Sequence, residues 1–496
     1  MKTLDRILEA IKPIKIIGSV NKNIDSICYD SRNCTKNSLF VAIKGTNFDG
    51  ANFIPEACSK GAIAVIYEGS IKQVHNEEIT FIEVPNSKIA LAQISNLWFD
   101  YPAKNLTLYG ITGTNGKTTC TFIIKSLFES FGINTGIIGT TGYYIGSIKI
   151  PSTHTTPESL ELFSIIAKMR AEGAKSIVME ASSHALHQNR VYGLEFDGAI
   201  FTNLTYEHLD YHKTMDEYAK AKNRLFQMLK SDGIAILNSD DDYSEYFKKS
   251  IKNNFIYTVG RNPESDFIIM NEKLNLQHTE YTIVDKNKYF LKNPVEIRTK
   301  LIGKFNIDNT AQSFVLCLAK GLQVNKLIHE IANVDGAPGR MHREPLRNGA
   351  IGIIDYAHTP DALEKALMTC RNILKEDYSL SKLICIFGCG GDRDKGKRPI
   401  MGKIATQLAD FCIITNDNPR KEEPESIFAD IIKGIPKDRA NKFLLIPDRE
   451  QAIAYAVEIS NENDIILLAG KGHEDYQIIG TEKLHFDDVE QLRKFK

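Results

Sequence analysis

The chain has 496 residues, 43% hydrophobic and 25% charged, with 61 basic residues against 62 acidic ones. That length allows for about three domains of roughly 150 residues each, and the near balance of charge argues against nucleic acid or an anionic membrane surface as a partner. No run approaches the ~18 consecutive apolar residues of a bilayer span, and the opening MKTLDRILEAIKPIK intersperses charge where a signal peptide is apolar, so the expected location is the cytoplasm.

Residues 1–103 carry short apolar strands, SLFVAIKG and AIAVIYEG, between polar turns, and YPAKN at 101–105 punctuates the chain with Pro and Asn. From Leu106 the pattern changes to a strand (LTLYGI), a glycine-rich turn, and a helix from Lys117 to about Phe131. Strands KSIVMEAS and DGAIFTNLT and a helix MDEYAKAKNRLFQMLK continue the alternation to about residue 334. VDGAPGR at 334–340 is a second link. Beyond it come strand GAIGIIDYA, a helix from about Asp361, and strands LICIFG, FCIITN and DIILLAG separated by helices. Strands spaced by helices predict an α/β protein with mostly parallel, doubly wound sheets. The expected domains are 1–103, 104–334 and 335–496, the last Rossmann-like.

Nine cysteines, an odd number in a long chain, read as reduced thiols and not as a disulfide framework. Cys385 and Cys389 are four apart, but they sit in a strand running into a glycine turn with no second pair at zinc spacing. They read as buried thiols.

The sharpest local signal is ITGTNGKTTC, between the predicted strand and helix. Glycines 110, 113 and 116 let successive backbone N–H groups turn toward phosphate oxygens. The helix N-terminus adds its positive dipole. This predicts a nucleotide site from Gly113, Thr114, Asn115, Gly116, Lys117, Thr118 and Thr119. Lys117 would neutralise the β- and γ-phosphates and the Thr118 hydroxyl would face Mg²⁺. The general P-loop spacing needs Gly at 111, where Ile111 stands; the phrase is instead T-G-T-N-G-K-T.

That variant resembles the Mur ligase and folylpolyglutamate synthetase superfamily, and the resemblance to the Mur ligases extends over nearly the whole chain. It implies a ligase of peptidoglycan synthesis that spends ATP to activate a carboxylate as an acyl phosphate, which an amine then attacks. It also implies Mg²⁺ as cofactor. The branch resembled adds the third residue to UDP-N-acetylmuramoyl-L-alanyl-D-glutamate, with UDP on the N-terminal domain, ATP on the middle one and the amino acid on the C-terminal one.

Candidate residues can then be placed. Glu180 ends the strand SIVMEAS, where open α/β sheets bind ligands, and a carboxylate there suits Mg²⁺. His208 lies in NLTYEHLDYH, which matches the family's N-L-x-x-[DE]-H-L-D. Lys222, in YAKAKNRLF, resembles the family lysine that CO₂ carbamylates, a change that turns a cation into an anion able to approach the metal. Lys220 is the alternative two residues away. The resemblance puts Ser31 and Thr46, Asn47 and Phe48 near the UDP, and His154, Thr155, Thr156, Ser182, Gln188 and Arg190 around the muramoyl dipeptide. Arg190 could hold a carboxylate in bidentate fashion. Asn306, Asn309 and Arg340 resemble contacts to ATP, and Asp355 and His358 to ribose or loop. Where the family often reads P-G-R-M-E, this chain reads P-G-R-M-H-R-E.

The incoming amino acid is assigned to GCGGDRDKGKRP, DNPR and GKGHE, with Arg393, Asp417, Asn418, Pro419, Arg420, Gly470 and Glu474. meso-Diaminopimelate needs a cation for its distal carboxylate and an anion for its distal ammonium. Arg393 and Arg420, taken as a buried pair, supply the first and Glu474 the second. The resemblance implies that lysine-adding relatives lack the arginine of DNPR. The alternatives are an L-lysine-adding ligase, a folylpolyglutamate-type ligase and, from another class, a P-loop switch protein. The chain is expected to work as a monomer on small molecules.

Overall fold

The structure, a computed structural model, describes residues 2–45, 49–71, 78–146, 148–152, 154–252, 255–377 and 380–496. The chain separates into two compact units, Met1–Thr258 and Val259–Lys496.

Besides a two-stranded pair, Lys2–Thr3 with Asn23–Ile24, the first unit holds two sheets. The smaller has the order Lys15–Ile17, Thr80–Val84, Ala62–Glu68, Ser38–Val41, Ser26–Cys28, with Lys15–Ile17 antiparallel at one edge and the rest parallel. Every residue of Ser38–Val41 is buried, as expected for a parallel strand covered on both faces. Helix Ser87–Trp98 begins where the Asn86 side chain accepts from Ile89 N at 2.9 Å, an N-cap.

In the larger sheet, strands Thr135–Gly139, Ser176–Glu180, Thr107–Thr112, Phe196–Phe201 and Leu229–Asn238 lie side by side and parallel. Gly142–Ile145 and Ile148–Ile150 add an antiparallel edge. Thr107–Thr112 comes first in sequence yet sits in the middle. The chain steps out to Thr135–Gly139, returns through Ser176–Glu180, and then crosses to Phe196–Phe201 on the other side. Such a reversal opens a crevice at the carboxyl ends of the strands flanking it. Gly113, Glu180 and Asn203 follow or close those ends.

One predicted helix ends early. MDEYAKAKNRLFQMLK is helical only over Met215–Asn223, followed by a 3₁₀ turn at Phe226–Met228 and strand Leu229–Asn238. Leu225 and Phe226 are buried in the core, and the following segment pairs with Phe196–Phe201. Sheet pairing took residues whose local pattern was helical.

The second unit opens with an antiparallel meander, Phe267–Leu274, Thr279–Asp285 and Val295–Thr299, which the helix-strand alternation did not predict. Its main sheet has the order His342–Pro345, Ile351–Asp355, Ile465–Ala469, Leu383–Phe387, Phe411–Ile414, Phe443–Leu445; only His342–Pro345 runs antiparallel. The carboxyl ends of the four central strands run directly into DYAH, GKGHE, GCGGDRD and NDNPR. The topology therefore puts at one edge four loops that are far apart in sequence. Cys385 and Cys389 are buried in this unit's core. Among the described residues no helix is long and apolar enough to cross a membrane.

Candidate active site

The loop after Thr107–Thr112 has only the conformation glycine permits. Gly113 has φ +147°, and a Cβ on it would lie 1.9 Å from Thr202 Oγ1. Gly116 (φ +87°) starts helix Lys117–Ser130 without a side-chain cap, so the helix N-terminus faces the loop. Asn203 holds the loop from the next strand, accepting from Thr114 N at its main-chain oxygen (2.8 Å) and from Asn115 N at Oδ1 (2.9 Å). Lys117 Nζ folds over the loop and donates to Gly113 O at 2.9 Å and Thr114 O at 2.7 Å. Thr119 follows in the first turn, buried beside Thr118.

Thr118 Oγ1 donates to Glu180 Oε1 at 2.9 Å. Glu180, 1% exposed, also accepts from Thr140 N at 2.9 Å and, on Oε2, from Thr140 Oγ1 at 3.0 Å. A carboxylate and a hydroxyl thus meet beside the phosphate loop, the oxygen donor set that a hard divalent cation prefers. Among the described residues no cluster of three His, Cys, Asp or Glu forms a ready metal cage. A second anion must come from elsewhere.

Lys222 is the group that could supply it. Its side chain is 1% exposed, with Nζ 2.7 Å from Gly113 O and 4.5 Å from the centre of the Tyr218 ring. Burial, then the nearby Lys117 charge, pushes its pKa well below the ordinary lysine value, opposed only by Glu207. Lys220 points to solvent and pairs with Glu217 at 3.6 Å. His208 takes a left-handed conformation (φ 58°) ahead of helix Leu209–His212. Burial lowers its pKa, and the charges of Lys222 and Lys117 add to the effect against Glu207. Metal ligation requires the neutral imidazole, the form this environment favours.

The dipeptide candidates form one connected group. Thr140 Oγ1 lies 3.0 Å from Thr155 Oγ1; Thr156 Oγ1 donates to Glu180 O at 2.7 Å and to Ser182 Oγ at 3.3 Å. Arg190 donates to Thr156 O at 3.0 Å and Gln188 Oε1 at 2.8 Å, and lies 3.2 Å from Glu158 Oε2. Its two terminal amino groups are therefore engaged by Thr156 and Gln188, and bidentate capture of a substrate carboxylate requires the release of at least one of these bonds. His154 is exposed near this group, its pKa lowered by burial and by Arg190. Ser31, which donates to Glu56 Oε2 at 2.7 Å, lines a cavity of about 590 Å³ with Tyr29, Phe40, Ile43 and Phe53. Thr46, Asn47 and Phe48 lie outside the described residues.

In the second unit Asn306 and Asn309 start helix Lys304–Ala319, both buried and 3.0 Å apart through Asn309 Nδ2. Gly339 and Gly472 sit back to back, a Cβ on the first falling 2.0 Å from Gly472 C. That approach brings Arg340 over the Tyr356 ring at 5.2 Å, in the DYAH loop that also carries Asp355 and His358. Asn418 Nδ2 donates to Asp417 Oδ1 at 3.0 Å and Glu474 Oε2 at 2.8 Å, so the two carboxylates share one amide. Burial, then Asp417, raises the Glu474 pKa, with Lys471 opposing. A Cβ on Gly470 (φ +114°) would meet Asp417 Oδ2 at 2.5 Å. Pro419 is buried, and Arg420 (φ 54°) donates through Nη1 to Gly391 O at 3.0 Å. Arg393 and Arg420 both approach Gly390, at 3.6 and 2.9 Å from where its Cβ would stand. The expectation of a buried pair is corrected: Arg393 is exposed and Arg420 half-buried, because the GCGGDRD turn leaves the sheet edge for solvent.

Asn203, Thr140, Glu158 and Tyr218 were not singled out from the sequence. Tyr218 lies one helical turn before Lys222, a spacing that could have found it. Asn203 stands in NLTYEH itself. Nothing local marks Thr140 or Glu158.

Three family models match this chain: "Mur ligase family, catalytic domain" over 23–98, "Mur ligase middle domain" over 111–317 and "Mur ligase, glutamate ligase domain" over 339–472. It is similar to UDP-N-acetylmuramoyl-L-alanyl-D-glutamate--2,6-diaminopimelate ligase of Clostridium tetani, 40% identical over 99% of this chain and 98% of that one. The similarly named protein of Fusobacterium nucleatum is 41% identical over 97% and 96%. A solved structure of a ligase of that name superposes with TM-score 0.70 at 32% identity, covering 99% and 98%. Since the matched segments carry the phosphate loop, Glu180, Lys222 and the DNPR loop, and the likeness is full length, the chain belongs to the Mur ligase family.

Proposed function

We propose that this chain joins meso-diaminopimelate to UDP-N-acetylmuramoyl-L-alanyl-D-glutamate, forming ADP and phosphate, in the cytoplasm and as a monomer. The family makes it an ATP-dependent, Mg²⁺-requiring, amide-forming ligase of peptidoglycan synthesis. The choice of amino acid rests on one observation: Arg420, Asp417 and Asn418 follow strand Phe411–Ile414, and Glu474, which follows Ile465–Ala469 across the intervening Leu383–Phe387, meets them through Asn418, so a cation and an anion pair stand together for the distal carboxylate and ammonium of a diamino diacid.

The division of labour follows the three segments. Residues 1–103 take the UDP at the Ser31 cavity, 104–334 take ATP, and 335–496 take the amino acid. Lys117 and the start of its helix draw the phosphates in. The D-glutamyl carboxylate attacks the γ-phosphorus, the bond to ADP breaks, and an acyl phosphate forms. Thr118 and Glu180, with His208 and a Lys222 carbamate, would hold Mg²⁺, which supplies charge neutralisation at the phosphates. The amine of the incoming residue attacks the acyl carbon, loses a proton and expels phosphate. Glu474 and Asp417 orient the distal ammonium; Arg420 and Arg393 face the distal carboxylate.

Lys222 suits carbamylation because CO₂ adds only to an unprotonated amine, and burial with Lys117 favours that form. The buried position of Lys222 supports it over solvated Lys220.

The test is incubation with ATP, Mg²⁺ and UDP-muramoyl dipeptide plus single amines, read by product mass. Sustained ADP release over many turnovers should require dipeptide and amine together, and meso-diaminopimelate should outperform L-lysine. ADP release without either substrate would support a switch protein instead.

A further inference from the structure

Outside the ligase machinery, the second unit carries a cationic cavity of about 420 Å³ lined by His278, Arg298, Lys300 and Arg343. Most of its charges are accounted for. Arg298 and His278 share Glu280, at 3.9 and 2.9 Å, and Lys300 pairs with Asp335 at 3.1 Å. Arg343 is the exception. It is half-buried, its Nη1 reaches only Gln277 O at 3.5 Å, and its buried Nε has no acceptor among the described residues.

The adjacent carboxylate cannot serve it. Strand His342–Pro345 alternates its side chains between faces. Glu344, on the opposite face from Arg343, is engaged by His342 (3.1 Å), Arg493 (2.7 Å) and Lys496 (3.2 Å). Burial lowers the Arg343 pKa, and no neighbouring anion among the described residues opposes the shift. A buried guanidinium Nε without an acceptor is costly unless a ligand supplies one. Arg343 belongs to the P-G-R-M-H-R-E phrase, which departs from the family pattern and which the ligase reaction leaves unused.

We propose that this cavity is a second anion site, which binds the phosphate group of a small metabolite between Arg343, Arg298 and Lys300. Arg298 and Lys300, two residues apart at the end of strand Val295–Thr299, and Arg343 from His342–Pro345 can address three phosphate oxygens at once, with Arg343 offering a fork. The site lies wholly within Val259–Lys496 and includes none of the residues assigned to nucleotide or amino acid. It therefore stands or falls independently of the ligase reading.

The test is equilibrium dialysis of the full chain with labelled pyrophosphate, in the presence of saturating Mg²⁺ and a non-hydrolysable ATP analogue that fills the nucleotide site. About one further equivalent should bind, more weakly as salt rises. Arg343→Gln should weaken it at least tenfold and exposed Lys300→Gln at least threefold, while Lys365→Gln on another surface leaves it unchanged. Should Arg343→Gln misfold, Lys300→Gln and Arg298→Gln still decide the matter. No binding beyond the nucleotide site, or binding undiminished in Arg343→Gln and Lys300→Gln, overturns the proposal. Citrate binding there more tightly than pyrophosphate overturns the phosphate assignment.

Discussion

Lys222→Met separates the electrostatics of the buried amine from its chemistry. Met fills much of the lysine stem's volume, so the folded state loses mainly the Nζ bond to Gly113 O, worth about 0.5–1.5 kcal/mol. That oxygen keeps its bond from Lys117. Against the loss, the variant no longer confines a group whose charged form the site disfavours. The folded-state pKa of Lys222 lies below the unfolded value of 10.5, so the unfolded chain binds the proton more tightly. Wild-type stability must therefore rise with pH between the two pKa values and level off above the second. Within that window each pH unit is worth up to about 1.4 kcal/mol, or roughly 3–6 °C for a unit the size of Met1–Thr258. The assay is calorimetry of both proteins in CO₂-free buffer from pH 7.5 to 10. The wild type should gain on Lys222→Met as pH rises through the window. Melting curves that stay parallel across the range would refute a buried amine held below its ordinary pKa. Ligation by the variant should fall at least a hundredfold, and a small carboxylate such as acetate should restore part of it by supplying the missing anion.

Lys117→Ala should leave melting near the wild-type value, because its amine bonds to oxygens of its own loop, yet lower ligation at least a hundredfold by removing a cation from the phosphates. A folded variant with unchanged turnover would remove the phosphate-loop assignment. Arg420→Ala should cut kcat/KM for meso-diaminopimelate about ten- to a hundredfold, the worth of one charge-assisted pair, and leave L-lysine little changed. Equal loss on both amines would mean that the Arg420 side chain only supports the loop through Gly391 and Asn418. Arg449 and Asp488, both fully buried and 2.6 Å apart, predict about 3–5 kcal/mol of destabilisation in Arg449→Leu, because the carboxylate is left alone in the core. Most of it should return in Arg449→Leu/Asp488→Leu, measured by chemical denaturation; a double variant no more stable than the single contradicts the stranded-charge account.

The sequence by itself determined the strands, most of the helices and the phosphate loop, since these depend on neighbours in the chain. SLFV, AIAVIYE, LICIF and IILLA are strands because runs of branched apolar residues have few other uses in a sheet covered on both faces. ITGTNGKTT could be recognised because backbone turning, dipole and lysine come from consecutive residues. The glycine pattern also announced positive φ, which Gly113 and Gly116 adopt. Only the tertiary structure decided where the middle helix stops, because strand pairing with Phe196–Phe201 claimed residues that were helical by pattern. The phrase AKNRLF already favoured Lys222 over Lys220, and the structure supplies the physical difference between two lysines on one short helix, burying the first against Gly113 O and leaving the second in water. The tertiary structure also exposed Arg393, engaged the Arg190 fork with Thr156 and Gln188, and left the buried Nε of Arg343 without an acceptor among the described residues. Residue types name which charges are present; only packing decides which of them keep their water and which must find a partner.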